Sequence, residues 1–377
     1  MMTIGTVTEE DIIPLAEFLH NGIPFKNTTK ETWLRRFEIW WNSNPAWTDR
    51  FPRGWILKND SSIVGFIGNI PVKFLISGEE KIAVAAVTWY VDPSVRGMSS
   101  LRLFNEFQKQ NHASLYLFNS DSEPLIQIVT KNKFKEYVLP RFRMKYFTLL
   151  DRTKVDFILR KFLFEERVTT MTEASAFIAR LGQLLCAYVY QKPLMRTGTL
   201  PHNDYITSLC TSCDDDFSRI WKPYLDSCDV ALSRDIKTLN WIYFSSIEPN
   251  ERVVIQCRRS SDNSLAGYMV FDIMRKTASG VGMMHLMDMC LEDTDPYILV
   301  SLVSYAGKIG KERKAALLAM WADTRETEDY CLDTFTLSMG SLHHNYIKIR
   351  EIPGENPDSL TLCPSLIAPP RGIDHFL

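Results

Sequence analysis

The feature that most constrains the fold is an order of predicted elements that occurs twice along the chain. Each copy contains two strands joined by a turn, then a third strand, a helix, a short apolar strand and a second helix. In the first copy these elements are predicted at 54–58, 63–76, 82–91, 99–110, 114–118 and 122–132. In the second copy they are predicted at 253–258, 265–271, 283–290, 295–309, 316–321 and 327–337. The repetition predicts an internal duplication of one mixed α/β fold.

The length of the chain agrees with two domains, because 377 residues exceed the roughly 100–200 residues of an ordinary single core. Two helical patterns, at 8–19 and 30–41, precede the first copy, and a strand pattern at 134–146 ends it. Apolar periodicity continues beyond that strand and predicts a helical connector. The predicted division is a first domain over 1–150, a connector over 151–205 and a second domain over 206–377.

Charge and hydropathy exclude several kinds of partner. The formal net charge is −2 and no long Lys/Arg block occurs, whereas a nucleic-acid surface normally carries a basic stripe. No apolar run reaches the roughly 18 residues that a membrane span requires. The N-terminal segment lacks the basic and apolar regions of a signal peptide. We expect a cytoplasmic protein with no nucleic-acid partner and no membrane span.

The eight cysteines include only one pair with the spacing of metal ligands, Cys210 and Cys213. A zinc site needs a second pair or nearby histidines, and His202 alone does not complete one. We expect reduced, mostly buried thiols and no bound metal.

The segment from Trp89 to Ser100 carries the most chemical information. A nearly continuous apolar strand runs into a short loop that contains Gly97, and a helix follows at once. Such a loop directs several backbone N–H groups at one place, and the helix N-terminus adds about half a positive charge. Ser99 and Ser100 can add hydroxyl donors, and Arg96 adds a full positive charge. The arrangement favours a pyrophosphate ligand, although a plain strand-to-helix turn with a serine cap would use the same residues.

The first copy resembles the GNAT superfamily of acyl-CoA-dependent N-acyltransferases. The resemblance rests on Ile63-Val64-Gly65-Phe66, on Val91-Asp92-Pro93-Ser94-Val95-Arg96-Gly97, on Asn119 after a short apolar strand, and on a helix that ends at Lys133-Phe134. Residues 210–350 resemble a second, more degenerate copy. The resemblance implies an α/β chain with two GNAT-like mixed-sheet domains in tandem, acyl-CoA as co-substrate and a small primary amine as acceptor.

The sequence departs from the pattern of the superfamily at two places. The pyrophosphate loop of the superfamily has the form Arg/Gln-x-x-Gly-x-Gly/Ala; Arg96 fits its first position, whereas Ser99 and Leu101 stand where small residues are usual. In many members a tyrosine on the helix after the short strand protonates the leaving thiolate, and that position falls on Val129 here. The proton must then come from another group or from solvent.

The resemblance also implies roles for individual residues. Trp89, Tyr90 and Asn119 end adjacent predicted strands at the point where this fold holds its thioester, so we assign Trp89 to the substrate and Asn119 to catalysis. A primary amine would attack the thioester carbonyl, backbone N–H groups would stabilise the oxyanion, and a base or ordered water would remove the amine proton. The residues implied to bind CoA are Tyr90, Val91, Val95, Arg96, Gly97, Met98, Ser99 and Ser100.

The second copy has no Arg-Gly loop after the corresponding strand. The segment from Met289 to Asp295 is acidic and would repel pyrophosphate. We expect that this copy has lost CoA binding and helps to form the acceptor site, where Asp288 contacts the amine or His285 acts as the base. Because their positions differ by three, a regular strand would point Asp288 and His285 to opposite faces, so that only one faces a shared cleft.

Tandem chains with this pattern resemble enzymes that acylate nucleotide-linked amino sugars for bacterial surface polysaccharides. The resemblance implies an acetyl or 3-hydroxybutyryl donor and a dTDP-linked 3-amino-3,6-dideoxyhexose as acceptor. We expect a monomer, since a duplicated chain can close its own acceptor cleft. Two alternatives stay open: an aminoacyl-tRNA-dependent aminoacyl transferase, which the net charge of −2 disfavours, and a non-catalytic ligand-binding or scaffold protein, which would explain Val129.

Overall fold

The computed structural model of the chain describes residues 2–23, 29–120, 122–137, 144–151, 203–245, 252–276, 281–293, 295–322, 325–335, 337–340 and 345–349. The predicted helical connector at 151–205 lies outside these ranges except at its two ends. Contacts divide the chain into two compact units, which interleave along the sequence. The first unit takes its residues from 1–138, 222–247 and 343–377, and the second from 139–221 and 248–342.

The described helices and strands are numbered in chain order. They are β1 (Met2–Thr6), α1 (Ile12–Gly22), α2 (Lys30–Phe37), β2 (Gly54–Asn59), β3 (Ser62–Ile76), β4 (Glu79–Val91), α3 (Met98–Gln108), β5 (Leu115–Asn119), α4 (Glu123–Lys131), β6 (Lys135–Tyr137), β7 (Met144–Leu149), β8 (Tyr205–Cys210), α5 (Asp215–Leu225), β9 (Val230–Leu232), α6 (Ile236–Phe244), β10 (Arg252–Arg259), β11 (Leu265–Lys276), β12 (Val281–Leu291), α7 (Pro296–Glu312), β13 (Ala315–Met320), α8 (Arg325–Thr334), β14 (Leu337–Gly340) and β15 (Asn345–Ile349).

The first unit is built on a mixed sheet of eight strands. Its order is β1-β2-β3-β4-β5-β15-β6, with β9 paired to the end of β3, and only β4 and β5 run parallel. Helix α3 packs on one face through Leu103, Phe104 and Phe107, which are fully buried because they share one side of the helix. Helix α2 packs on the other face, where Phe37 meets the Phe66 ring at 6.5 Å.

The second unit is built on a mixed sheet of seven strands in the order β14-β7-β13-β12-β11-β10-β8. Its parallel pair is β12 and β13. Helix α7 covers one face with a buried apolar stripe that includes Ile298, Leu302 and Ile309. Helix α5 covers the other face, where the Trp221 indole N–H donates to the Tyr268 hydroxyl at 2.5 Å.

Equivalent contacts in the two units confirm the predicted duplication. Gly65 lies opposite Val91, and Gly267 lies opposite Leu291. Gly65 sits under α3, which follows β4, and Gly267 sits under α7, which follows β12. A Cβ would lie 3.1 Å from Leu103 at Gly65 and 2.9 Å from Ile298 at Gly267. The close approach of helix and sheet explains why glycine stands at both positions.

The last strand of each half belongs to the sheet of the other half. Residues 134–146 were expected to form one strand, whereas β6 pairs in the first sheet and β7 pairs between β13 and β14 in the second. In return, β15 pairs between β5 and β6 of the first sheet. The units therefore do not follow the consecutive ranges 1–150 and 206–377 that the sequence suggests.

Several short elements have no counterpart in the sequence patterns. These are β1, β8, α5, β9 and α6. Helix α5 begins in an acidic run and contains Pro223, both of which hide its periodicity. The helix expected over 327–337 ends at Thr334, and its last residues begin β14.

Candidate functional site

The two central strands of the first unit separate beyond Ala85. Strands β4 and β5 pair only between Ala83–Ala85 and Leu115–Leu117, although β4 stays paired with β3 up to Val91. Among the described residues, no strand pairs with the β5-facing side of residues 86–91, which we call the open edge. The backbone N–H and C=O groups of the open edge can form β-type hydrogen bonds with an extended ligand.

A β-bulge lies within the open edge. Phe66 of β3 pairs with Tyr90 of β4, and Gly68 pairs with Val87. Between these pairs β4 has two residues, Thr88 and Trp89, whereas β3 has one. Thr88 has φ of +49°, a left-handed conformation that costs roughly 1–3 kcal/mol in a β-branched residue. The bulge turns the backbone N–H and C=O groups away from the regular ladder direction.

A compact loop joins β4 to α3. The Asp92 N–H donates to the Val64 carbonyl at 2.9 Å and ends the β3–β4 ladder. The Asp92 carboxylate accepts the Ser94 hydroxyl at 2.5 Å and the Ser94 N–H at 2.8 Å. These hydrogen bonds, helped by the charge of Arg96, lower the pKa of Asp92. The carboxylate thus stays ionised and turned towards its own backbone.

The loop ends at Gly97, the N-cap of α3. Its φ of +96° favours glycine, and an added Cβ would meet no heavy atom within 4 Å, so the space in front of the loop is open. The N–H groups of Ser100 and Leu101 donate to the Gly97 carbonyl at 3.0 and 3.3 Å. Those of Met98 and Ser99 precede the first helical hydrogen bonds, and no described side chain caps them. Open space, backbone donors and the helix dipole together fit a pyrophosphate.

Arg96 supplies a cation beside these donors. Its Nε–H donates to the Val91 carbonyl at 2.9 Å, and its guanidinium lies 5.9 Å from the Tyr90 ring centroid. Within the described part of the chain, no acceptor engages its terminal amino groups, which are therefore available to bind a phosphate bidentately. The Ser99 hydroxyl lies 3.6 Å from the Met2 sulfur, so Ser99 contributes to the loop mainly through its N–H.

The remaining residues predicted to bind CoA have supporting places. Val95 packs its side chain against the core, and Val91 is buried at the end of β4. Tyr90 lies on the α1 side of the sheet, 5.4 Å from the Phe18 ring. Gly22 makes room for Tyr90, because a Cβ there would lie 2.4 Å from Tyr90 Cε1.

Trp89 faces the other side of the sheet from Tyr90. Its half-buried ring stacks on Phe104 of α3 at 5.0 Å with an interplanar angle of 10°. The ring also meets Phe118 of β5 edge-on at 6.0 Å. Trp89 therefore lies beside the opening between β4 and β5.

Asn119 and Val129 lie on the far side of the opening. Asn119 ends β5, is half-buried and stands opposite Asn345 of β15. Val129 lies on the buried side of α4 and is 0% exposed, and its carbonyl accepts the Phe134 N–H at 3.1 Å. Val129 is thus a packing residue, and its side chain supplies no proton donor.

In the second unit, basic side chains bind the carboxylates of the corresponding loop. Glu292 is the equivalent of Asp92, since its N–H donates to the Ala266 carbonyl at 2.8 Å. Arg219 and Arg259 both form ion pairs with Glu292. Arg259 also binds Asp293 at 3.0 Å, so its charge is already satisfied within the chain.

The N-terminus of α7 is capped by a carboxylate of the chain itself. Asp295 accepts the Tyr297 N–H at 2.9 Å and the Tyr205 hydroxyl at 2.5 Å. A carboxylate therefore occupies the position at which α3 presents unpaired N–H groups. Pyrophosphate would have to displace this carboxylate and then lie among further acidic residues.

The opening between β12 and β13 is also closed. Their parallel pairing ends at His285 and Ala319. Trp321 lies directly after β13, two residues beyond the last pair, as Asn119 lies two residues beyond Leu117. The Trp321 indole N–H donates to the Leu286 carbonyl at 2.8 Å, which is the first backbone carbonyl beyond the pairing. Trp321 thereby uses the backbone group that an extended ligand would need.

His285 and Asp288 lie on the same face of the second sheet, which corrects the expectation that they point to opposite faces. His285 stands opposite Asp272 and Asp288 opposite Val270, and these two partners are separated by two residues of β11. The reason is a bulge that adds Met287 to β12 between Leu286 and Asp288. Both side chains are buried, with 1% and 4% exposure.

The sequence patterns assign no role to Thr88 or Trp321, and they predict a helix start at Asp295 without its capping role. The strain at Thr88 has no local signal, because threonine is ordinary in a strand. Trp321 was read only as the end of a strand, and its indole hydrogen bond depends on the separation of β12 from β13. The capping role of Asp295 was readable, since Asp-Pro is a frequent helix start.

The sequence matches no protein-family model and no curated protein. Solved structures with a similar fold include N-myristoyltransferase of Saccharomyces cerevisiae with bound myristoyl-CoA, with a TM-score of 0.53 and 12% identity over 97% of this chain and 83% of that chain. A GCN5-related N-acetyltransferase from Anabaena variabilis ATCC 29413 has a TM-score of 0.55 and 8% identity over 93% and 73%. Another from Kribbella flavida has a TM-score of 0.55 and 8% identity over 93% and 71%.

These likenesses define the class of fold. The chain has a tandem GNAT-like fold with two mixed sheets, as the sequence predicted. At such low identities the likeness concerns the fold alone. None of the described helices is both long and apolar enough to cross a membrane.

Proposed function

We propose that the chain is an acyl-CoA-dependent N-acyltransferase whose acyl donor binds in the first unit. The observation that carries the proposal is the continuity between the open edge and the exposed N-terminus of α3. The open edge ends at Val91, and the donors of Met98 and Ser99 follow after a loop held by Arg96. Pyrophosphate fits those donors, and the two amides of pantetheine match the backbone groups of the open edge.

In this proposal the thioester lies near the bulge at Thr88, where the open edge begins. The amine nitrogen forms a bond to the acyl carbon, and the bond from that carbon to sulfur breaks. A backbone N–H of the bulge donates to the carbonyl oxygen while it carries negative charge. The amine gives up one proton and the sulfur gains one, so CoA leaves as the thiol. Since the Val129 side chain has no ionisable proton, we propose that water supplies the proton to the sulfur.

We propose further that the second unit has lost CoA binding. Asp295 caps α7 where a pyrophosphate would sit, and Trp321 binds the backbone where pantetheine would pair. Each feature blocks one end of an extended CoA molecule. A structure with CoA bound at residues 289–297 would refute this part of the proposal.

For the acceptor we propose a nucleotide-linked amino sugar, specifically a dTDP-3-amino-3,6-dideoxyhexose, acylated with an acetyl or 3-hydroxybutyryl group for surface polysaccharide synthesis. The support is the sequence resemblance described above. Asp288 and His285 stay our candidates for contacting the amine and removing its proton. The bulge at Met287 places the two residues on one face of the second sheet.

The donor site is tested by Gly97→Asp, which places a negative charge in front of α3. We expect the Kd for CoA, measured by isothermal titration calorimetry, to rise by about tenfold or more. Gly78→Asp is the matched control, because Gly78 also has a positive φ of +80° and open space around its Cβ position but lies in the turn between β3 and β4. Equal CoA affinity in both variants and the unmodified chain would refute the loop assignment.

The acceptor is tested by incubating the full chain with acetyl-CoA or 3-hydroxybutyryl-CoA and a panel of dTDP- and UDP-linked amino sugars, with release of free thiol as the readout. Turnover that is highest with a dTDP-3-amino sugar supports the acceptor. CoA binding without turnover on any sugar keeps the donor site and removes the amino sugar. No turnover together with no CoA-dependent rise in melting temperature favours a non-catalytic scaffold.

A further inference from the structure

Three aromatic rings meet across the opening between β4 and β5. Trp89 comes from β4, Phe104 from α3 and Phe118 from β5, and we call them the ring cluster. Their centroids are 5.0 Å apart for Trp89 and Phe104, and 6.0 Å apart for each of the other two pairs. Because backbone pairing has ended at Ala85, the ring cluster is what joins the two strands on the α3 face.

The opposite face of the same opening is closed by aliphatic side chains. Val87 and Leu117 lie there and are 3% and 6% exposed. Gly68 stands opposite Val87, and a Cβ on Gly68 would approach Val87 Cγ2 to 2.7 Å, so this side is tightly packed. An acyl group that continues past a thioester at the start of the open edge therefore meets packed side chains on both faces.

The three rings of the ring cluster are not buried to the same degree. Phe104 and Phe118 are 0% and 5% exposed, whereas Trp89 is half-buried. The accessible part of the ring cluster is thus the Trp89 ring, on the strand that carries the open edge. A long acyl chain could enter the α3 face only by displacing this ring from its stack on Phe104.

We propose that the ring cluster restricts the acyl donor to short chains of about two to four carbons, and that Trp89 sets the limit. This inference rests on the proposed function. The fold itself does not impose the limit, since the yeast N-myristoyltransferase structure of similar fold holds myristoyl-CoA. The restriction lies in side chains, so removal of one ring relaxes it.

The test uses unreactive thioethers of CoA with ethyl, butyl and octyl groups, which need no acceptor, and measures their Kd on the full chain by calorimetry. We expect the unmodified chain to bind the octyl compound about tenfold or more weakly than the butyl compound. In Trp89→Ala an apolar cavity replaces the ring, and cavities of this kind bind hydrocarbon. The octyl compound should then bind about tenfold or more tightly than it binds the unmodified chain, and the ratio of octyl to butyl affinity should rise accordingly.

The control is Trp55→Ala, which removes a ring of the same size from the same core but on β2, where it packs against Phe107. Its ratio of octyl to butyl affinity should equal that of the unmodified chain. Trp89→Leu serves if Trp89→Ala does not fold, and it should give a smaller change in the same direction. If CoA still binds, two results overturn the inference. One is a ratio of octyl to butyl affinity that is unchanged in the Trp89 variants, and the other is tighter binding of the octyl than of the butyl compound by the unmodified chain. Absence of CoA binding instead overturns the proposed function and the inference with it.

Discussion

At the scale of single residues, the surroundings of a side chain decide its role more than its type does. Thr88 is an ordinary strand residue by type, yet it takes a left-handed conformation that only the packing around β4 can hold in place. Val129 lies at the position where the sequence resemblance would place a tyrosine, and here it is a fully buried part of the core. Its surroundings make it a packing residue.

Val129→Tyr tests whether packing excludes a tyrosine at this position. The larger side chain has no room in the core, so we expect the free energy of unfolding to fall by about 2–3 kcal/mol, with no gain in acyl transfer. Thr130→Tyr is the control, because Thr130 is the next residue of α4 and is exposed. Chemical denaturation should show a change of less than about 0.5 kcal/mol for the control. A stable Val129→Tyr variant with faster thiol release would contradict this account.

At the scale of elements, two equivalent helices begin in chemically different loops. Helices α3 and α7 follow the equivalent strands β4 and β12, and each covers an equivalent glycine. Helix α3 begins at Gly97 with uncapped N–H groups beside Arg96, whereas α7 begins at Asp295, whose carboxylate caps it. The two helix starts differ in their first loop residues, because Gly97 leaves the first N–H groups of α3 uncapped and Asp295 caps those of α7.

The ion pairs around the second loop predict a pH dependence of stability. Burial raises the pKa of Glu292, but the hydrogen bonds from Arg219 and Arg259 outweigh burial and hold the pKa below its usual value. A lowered pKa in the folded state means that Glu292 stabilises the fold above its unfolded pKa and stops doing so as the pH falls through the folded value. We expect Glu292→Gln to cost about 1–2 kcal/mol at pH 7, after allowance for the half-exposed Arg219.

The measurement is chemical denaturation of both chains between pH 7 and about pH 3.5. The difference in free energy of unfolding between the unmodified chain and Glu292→Gln should become smaller as the pH falls below about 4.5. Glu106→Gln is the control, because Glu106 of α3 forms a surface ion pair with Lys109, the residue that follows this helix. A gap for Glu292→Gln that stays constant with pH would show that the ion pairs do not stabilise the second unit.

At the scale of the whole molecule, the exchanged strands tie the folding of each unit to the other half of the chain. Strand β15 comes from near the C-terminus of the described chain but lies inside the first sheet, between β5 and β6. Strand β7 comes from the first half and lies inside the second sheet, between β13 and β14. Neither sheet is complete without a segment from the other half.

Truncation tests this dependence. A chain that ends after Gly340 lacks β15, and we expect amide protection in β5 and β6 to fall by about a hundredfold or more in hydrogen exchange. A chain that ends after Ile352 keeps β15 and should retain the protection of the full chain. Equal protection in the two truncated chains would mean that the first sheet does not depend on β15.

The sequence by itself determined the repeated order of strands and helices, the buried faces and the loop with Arg96 and Gly97. These features depend on local chemistry, since apolar periodicity, turn residues and helix starts act over a few neighbouring positions. Short or interrupted elements such as β9 and α5 escaped because three residues, or a helix with Pro223 inside it, carry too little periodic signal.

Only the tertiary structure decided the features that depend on distant parts of the chain. The bulge at Met287, which brings His285 and Asp288 to one face, depends on how β12 pairs with β11. The exchange of β7 and β15 depends on which sheet offers each strand a partner, and strand patterns carry no record of the partner. The ring cluster around Trp89 exists because three elements converge where β4 and β5 separate. Strand pairing and side-chain packing depend on contacts between residues that are far apart in the sequence. Those contacts stabilise the fold only once the sheets have formed.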